Sequence, residues 1–184
     1  MEAHRNHAGV QEQECWALTN LAVNFDNQAS IAAKAESMIA TIVSGMEAHR
    51  DHAGVQQQGC VVLSILAVTN ADNQVAIVRV GGIATIMNDM EVHRDHAAVQ
   101  EKGCCALVNI ARNNDNKVSI AEAGGIATIM SVMEAHGDDA GVQQRANLAL
   151  NVDNNVSMGK AGSIALIVGA MEAHGDDAGV QKRG

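Results

Sequence analysis

Apolar side chains recur along the chain at intervals of three and four residues, the spacing that places them on one face of a helix. In the segment IATIMNDM the apolar positions include Ile83, Ile86, Met87 and Met90. The same spacing returns in segments that begin at Ile39, Ile126 and Ile164. Because the chain also lacks proline, the pattern predicts a series of amphipathic helices rather than strands.

The helical segments belong to a repeat that is marked by a Met-Glu pair. Copies of this pair start at residues 1, 46, 90, 133 and 171, so the offsets are 45, 44, 43 and 38 residues. A period in the low forties is typical of helical repeat proteins. One such unit cannot bury its own apolar face, so we expect neighbouring units to stack into a solenoid.

Each repeat divides into three predicted helices. The first begins at an Asp-Asn pair, as at Asp72 and Asp115, because an Asp side chain accepts hydrogen bonds from the open amides of a first turn. It ends at a glycine, which permits a left-handed closing turn. The third helix is the longest, and Gly59 and Gly103 on its apolar stripe permit close approach of another helix. In the first copy this stripe comprises Val10, Ala17, Leu18 and Leu21.

The segments DNKVSIAEAGGIATIMSVME and VQEQECWALTNLA resemble armadillo repeats, in which a short helix and a glycine turn precede two further helices. The resemblance covers essentially the whole chain. It implies an all-α fold, a right-handed α-solenoid of three-helix repeats, with residues 1–184 forming a single domain. The predicted units are a third helix alone at 1–25, repeats at 26–70, 72–113 and 115–151, and a partial unit with a stub at 153–184.

The repeat at 115–151 is five residues shorter than its predecessor. A loss of five residues turns a helix face by about 140° and shortens the helix by about 7.5 Å. We therefore expect the third helix of this unit to pack differently from its neighbours.

The resemblance also implies a concave groove, lined by third helices, that holds an extended peptide and carries a Trp and an Asn four residues apart. The segment WALTN supplies this pair at Trp16 and Asn20, which share one helical face. An alternative interpretation is that Trp16 covers an open amino-terminal end. The groove residues predicted for this chain are Glu12, Trp16, Asn20, Gln57, Glu101, Asn109 and Asn147.

Composition and charge narrow the classes of partner. The formal charge is −9, which argues against nucleic acid as the main partner. No apolar run approaches the ~20 residues of a membrane span, and the first residues, MEAHRNHAGVQEQE, lack the apolar core of a secretory signal. We therefore expect a cytoplasmic or nuclear protein.

Candidate chemistry is sparse. No nucleophile, phosphate loop or cofactor motif stands out, so the chain is predicted not to be an enzyme and to need no cofactor. Cys15, Cys60 and Cys104 occupy one slot in successive repeats and are expected to be buried thiols rather than disulfides. Histidines three residues apart can share a metal, which makes weak metal binding an alternative at His4, His7, His49, His52, His93 and His96.

The sequence thus favours a non-enzymatic scaffold that binds a protein or an extended peptide along the groove of the third helices. A second possibility is a fragment or self-associating array, because neither end of the solenoid shows a polar cap. Such open ends would make the protein a homo-oligomer.

Overall fold

The computed structural model describes residues 7–22, 34–68 and 70–157. These ranges contain nine α-helices and no strand, which confirms the all-α prediction. The helices are α1 (Ala8–Ala22), α2 (Ala35–Ala48), α3 (Ala53–Val68), α4 (Ala71–Arg79), α5 (Gly82–Val92), α6 (Ala97–Ile110), α7 (Asn114–Glu122), α8 (Gly125–Ala135) and α9 (Ala140–Ser157).

The helices repeat in the order that the sequence predicted. Unit 1 contributes α2 and α3, unit 2 contributes α4, α5 and α6, and unit 3 contributes α7, α8 and α9, while α1 is a third helix on its own. The third helices pack side by side in the order α1, α3, α6, α9, and the second helices α2, α5 and α8 pack in a parallel series. The fold is therefore an all-α helical repeat solenoid.

The first helices begin at asparagine, not at the aspartate that we predicted as the cap. The side chain of Asn70 accepts from the amide of Asn73, and that of Asn113 accepts from Asp115 and Asn116. Asp72 is the second residue of its helix, where a carboxylate interacts favourably with the positive end of the helix dipole. The prediction was wrong because an asparagine and an aspartate two positions apart both suit a cap, and the extended backbone falls at the asparagine.

The glycine predictions are confirmed. Gly81 and Gly124 have φ values of 84° and 90°, the left-handed region in which a side chain is strained. A Cβ at Gly59 would lie 2.5 Å from Met46 Sδ, and a Cβ at Gly103 would lie 2.6 Å from Met90 Sδ. The absent side chains thus let α3 and α6 each approach the second helix of their own unit.

The prediction of buried thiols at one position of successive repeats, which we call the cysteine ladder, is also confirmed. Cys15, Cys60 and Cys104 are fully buried, and all four thiols of the chain are free. Burial raises the pKa of the Cys15 and Cys104 thiols to about 12, so both are neutral at physiological pH. They act as small apolar side chains in the core.

The apolar stripe predicted for α1 is largely wrong. Val10 is 37% exposed and Leu21 is 51% exposed, and Ala17 is exposed as well. Gln11 and Cys15 are the buried residues of this helix. The reason is that α1 packs on α3 but none of the described helices covers its other side, so residues whose equivalents in α3 are buried stay exposed.

The shortened unit 3 packs in the register of unit 2, contrary to our expectation. Helix α9 packs against α6, and its Val142, Ala146 and Ala149 are buried as their equivalents in α6 are. The five missing residues fall after this segment, so α9 continues to Ser157 instead of ending near residue 151. The first turns of α9 therefore set its register before the deletion has any effect.

A candidate interaction face on the third helices

One apolar position recurs on a solvent-accessible side of the four third helices that the structure describes. Trp16, Val61, Cys105 and Leu148 occupy the same place in α1, α3, α6 and α9, five residues after a glutamine that is buried in every copy. Trp16 is 55% exposed, and the other three are partly exposed. We call these four residues the third-helix row. Packed helices lie about 8–10 Å apart, so the row forms an apolar strip about 30 Å long that crosses the four helices.

A second row lies one helical turn further along, at Asn20, Ile65 and Asn109. Asn20 is exposed on the same face of α1 as Trp16, as the sequence predicted. Asn109 is half-buried, and its Nδ2 donates to Ser64 Oγ at 2.8 Å, so part of this amide holds α6 against α3. Ser64 Oγ also lies 3.4 Å from Cys105 Sγ.

The third row, at Glu12, Gln57 and Glu101, carries the charge of the face. Glu12 Oε2 lies 3.9 Å from His52 Nδ1. Glu101 Oε1 lies 2.9 Å from Lys102 Nζ and 4.0 Å from Arg145 Nε. Because cations lie beside Glu101, its carboxylate adds little excess negative charge to this face.

Asn147 does not take the place that we predicted for it. It stands in α9 at the slot of Cys60 and Cys104, four residues after Gln143, and is half-buried. A match of Asn147 with Asn109 would require the five missing residues to lie before Asn147. Asn147 is therefore one turn away from the row that contains Asn20 and Asn109.

A set of glutamines that the sequence reasoning missed holds each unit together. Gln56, Gln100 and Gln143 are buried, and each Nε2 donates to two backbone carbonyls at the end of the preceding second helix, at distances of 2.7 to 3.0 Å. The acceptors are Met46 and His49, Met90 and His93, and Met133 and His136. The available signal was a glutamine ten residues after the Met of each copy.

The histidine turns connect successive units. His93 Nε2 lies 2.7 Å from the carbonyl oxygen of Arg50, and His136 Nε2 lies 2.7 Å from that of Arg94. A ring nitrogen facing a carbonyl carries the proton and donates it. His52 instead accepts from the amide of Val55 through Nδ1 at 3.3 Å.

The remaining metal candidates are dispersed. His7 precedes α1, His49 follows α2, and His96 is exposed at the start of α6. His4 lies outside the described residues. Across the described ranges, no group of three or more His, Cys, Asp or Glu side chains is arranged to hold a metal ion.

No single helix among those described is long and apolar enough to cross a membrane. The adjacent helices α7 and α8 meet the length and composition criteria only when taken together, and they are bent by 70° relative to each other.

Comparison with known proteins identifies the repeat. A family model described as "LRRK2 ARM repeat" matches residues 1–163. The chain belongs to this family of armadillo repeats. A solved structure entitled "Crystal Structure of Engineered Protein" has a TM-score of 0.70 and 23% sequence identity to the chain. The alignment covers 96% of this chain and 72% of the engineered one, and at this identity it supports the fold alone. Comparison with curated proteins gave no significant match.

Proposed function

We propose that this armadillo-repeat protein is a non-enzymatic scaffold whose third-helix face binds an extended protein segment. The observation that supports the proposal is the third-helix row, which keeps an apolar side chain accessible on four successive third helices. Exposed apolar side chains scattered singly need no explanation, whereas an aligned strip of them is typical of an interaction site. Membership of the armadillo family supports the same conclusion.

The chemistry of the face favours a segment with apolar side chains and little net charge. Trp16 offers a large apolar surface with few rotatable bonds, a residue type that contributes strongly to interfaces. Asn20 and Gln57 offer amides, each of which both donates and accepts a hydrogen bond to a peptide backbone. Glu101 is already compensated by Lys102 and Arg145, so it offers little attraction to a basic segment.

We place the protein in the cytoplasm or nucleus and propose no cofactor, nucleic acid or membrane as its partner. The net charge of −9 disfavours nucleic acid because a phosphate backbone repels it.

The test begins with random peptides of about ten residues, the length of extended chain at about 3.3 Å per residue that spans the row. Peptides are selected by phage display on the intact chain, and their affinity is measured by titration. Trp16 is the single tryptophan, so its fluorescence reports contact directly. The variants are Trp16→Ala, read by calorimetry, and Val61→Ser, with Val75→Ser as the matched control because Val75 is 49% exposed on α4.

We expect the two row variants to weaken binding at least tenfold, corresponding to the loss of an apolar contact of the row, while the control binds as the unmodified chain does. Helicity by circular dichroism is expected to be equal in all four proteins. Equal affinities for the row variants and the unmodified chain would show that this face is not the binding site.

Self-association is a second candidate function that one observation favours. Val10, Ala17 and Leu21 form an exposed apolar strip on the side of α1 that the described helices leave uncovered. A second copy that covers this strip would bury apolar area. Light scattering after size exclusion tests it: Leu21→Glu shifts an oligomer to monomer, and a monomeric unmodified chain at all accessible concentrations would eliminate the idea.

A further inference from the structure

Asp89 is a fully buried acid without a hydrogen-bond partner. It lies in the last turns of α5 with a relative exposure of 0%, and neither of its carboxylate oxygens has a hydrogen-bond partner among the described residues. Buried charges are normally paired because removing an ion from water is costly. An orphan carboxylate therefore requires an explanation of its own.

The other copies of the repeat show that the fold does not need an acid at this position. The equivalent residues are Gly45 in α2 and Val132 in α8, and Ala170 in the last copy of the motif. Gly45 and Val132 are both buried. The position is thus an apolar slot in which unit 2 alone carries a carboxyl group.

The groups that face Asp89 come from unit 1 and do not neutralise it. Glu47 on α2 and Arg50 in the turn after α2 both act on it electrostatically. The pKa of the Cys60 thiol on α3 is raised first by burial and then by the charge of Asp89. The pKa of Asp89 is raised to about 7, chiefly by burial, while Arg50 opposes the shift and Glu47 adds to it. Asp89 therefore lies at the junction where α5 of unit 2 packs against α2 and α3 of unit 1.

The two protonation states place different demands on this junction. A protonated carboxyl is neutral and carries one O–H donor, whereas a carboxylate is charged and can only accept. No described group donates a hydrogen bond to either carboxylate oxygen of Asp89. The protonated form suits a site that supplies no donor, and the ionised form does not.

We propose that Asp89 makes the junction between units 1 and 2 a pH-sensitive joint, closed while the carboxyl is protonated and prone to open once it is ionised. The proposal does not depend on which segment the third-helix face binds. The junction between units 2 and 3, where Val132 takes the slot, lacks this sensitivity and serves as the internal reference.

The direction and range of the effect follow from linkage. The ordinary pKa of the group is 3.8 and the folded value is about 7. Between these values the open state has released the proton and the closed state has kept it, so opening becomes more favourable as pH rises, by up to about tenfold per pH unit. Above about pH 7 both states are ionised and the dependence levels off.

The cysteine ladder supplies the measurement. Cys60 on α3, on which Asp89 acts electrostatically, reports opening at the pH-sensitive joint, and the equally buried Cys104 on α6, on which Asp89 has no such effect, is the reference thiol. The intact chain is pulsed with N-ethylmaleimide at pH values from 5.5 to 8.5, and the labelled fraction of each cysteine is read by peptide mass spectrometry. The ratio of the two rates removes most of the intrinsic pH dependence of thiol reactivity, which the two sites share.

We expect the Cys60 to Cys104 ratio to rise at least tenfold between pH 5.5 and 7 and then level off. In Asp89→Val, which places the residue of unit 3 in the slot, the ratio is expected to be flat. Asp95→Asn changes an exposed acid close in sequence and is expected to leave the rise intact. The urea midpoint at pH 8 is expected to be higher for Asp89→Val than for the unmodified chain.

Three results would overturn the proposal. One is a flat ratio in the unmodified chain, which means that Asp89 does not control opening. Another is a rise that persists in Asp89→Val, which assigns the effect to a different group. The last is an Asp89→Val chain that is unfolded or less stable at pH 8, since the proposal requires the ionised acid to be the less favourable side chain.

Discussion

The junction between units 1 and 2 and the junction between units 2 and 3 share a histidine-to-carbonyl hydrogen bond but hold different residues in one buried slot. His93 and His136 each bond to the carbonyl of an arginine in the preceding turn. The equivalent buried position on the second helix holds Asp89 at the first junction and Val132 at the second. The comparison shows that hydrogen bonds to backbone carbonyls are kept from one junction to the next. The buried position beside them is therefore free to acquire an acid.

Placing an acid in the slot of unit 3 is expected to give the largest effect. Val132→Asp places an unpartnered carboxyl in the second junction and removes a buried valine. We expect the free energy of unfolding at pH 8 to fall by about 4 kcal/mol, from lost apolar burial and the cost of a buried charge. At pH 5 the loss is expected to be smaller because the acid is then protonated. Urea unfolding followed by circular dichroism measures both, and a pH-independent loss would contradict the account.

The next effect tests the glutamine bonds that hold each unit together. Gln100→Met keeps the volume of the side chain but removes two donors, which leaves the carbonyls of Met90 and His93 without the amide. We expect the free energy of unfolding to fall by about 3 kcal/mol, since each buried unpaired polar group costs about 1–3 kcal/mol.

Gln143→Met is expected to cost the same, because Gln143 makes the same pair of bonds in unit 3. Gln57→Ala is the control, because Gln57 is a half-buried glutamine next to Gln56 on α3 and makes no such pair of bonds. Its free energy of unfolding is expected to stay within about 0.5 kcal/mol of the unmodified chain. A loss for Gln100→Met no greater than that of the control would show that the glutamines do not hold the units together.

The smallest effect concerns the link between third helices. Asn109→Ala removes the hydrogen bond to Ser64 Oγ, and we expect a loss of about 1 kcal/mol in thermal or urea unfolding. Asn20→Ala, at the equivalent position of α1 but exposed, is expected to be neutral. Between α1 and α3 the same slot holds Ile65, and the buried Thr19 Oγ1 has no partner among the described residues. Equal losses for the two asparagines would contradict this difference.

Most of the fold could be predicted from the periodic spacing of apolar residues and glycines. The spacing of apolar residues and the glycines at Gly59, Gly81, Gly103 and Gly124 predicted helices, turns and close contacts that the structure confirms. These features are predictable because each is set locally, by helical period or by the space that a side chain would need.

The candidate face was harder to predict because it depends on which residues meet across helices. The position assigned to Asn147 depends on where the five missing residues are placed when the repeats are aligned, and the sequence alone permits more than one placement. The role of Gln100 is invisible in a pattern of apolar and polar residues, since a buried glutamine is identified only by the carbonyls it meets. Asp89 escaped notice for the same reason: its burial depends on the neighbouring unit.

Cys105 offers the most direct test of the claim that the third-helix face is a binding site. It lies in the third-helix row and is the one thiol of the chain that is not fully buried. Its alkylation rate is measured with and without a saturating peptide selected on the chain, beside Val118→Cys, a variant with a second accessible thiol on α7. The account predicts that bound peptide slows alkylation of Cys105 severalfold and leaves the α7 thiol unchanged. An unchanged rate at Cys105 under saturation, or protection of the α7 thiol instead, would contradict it.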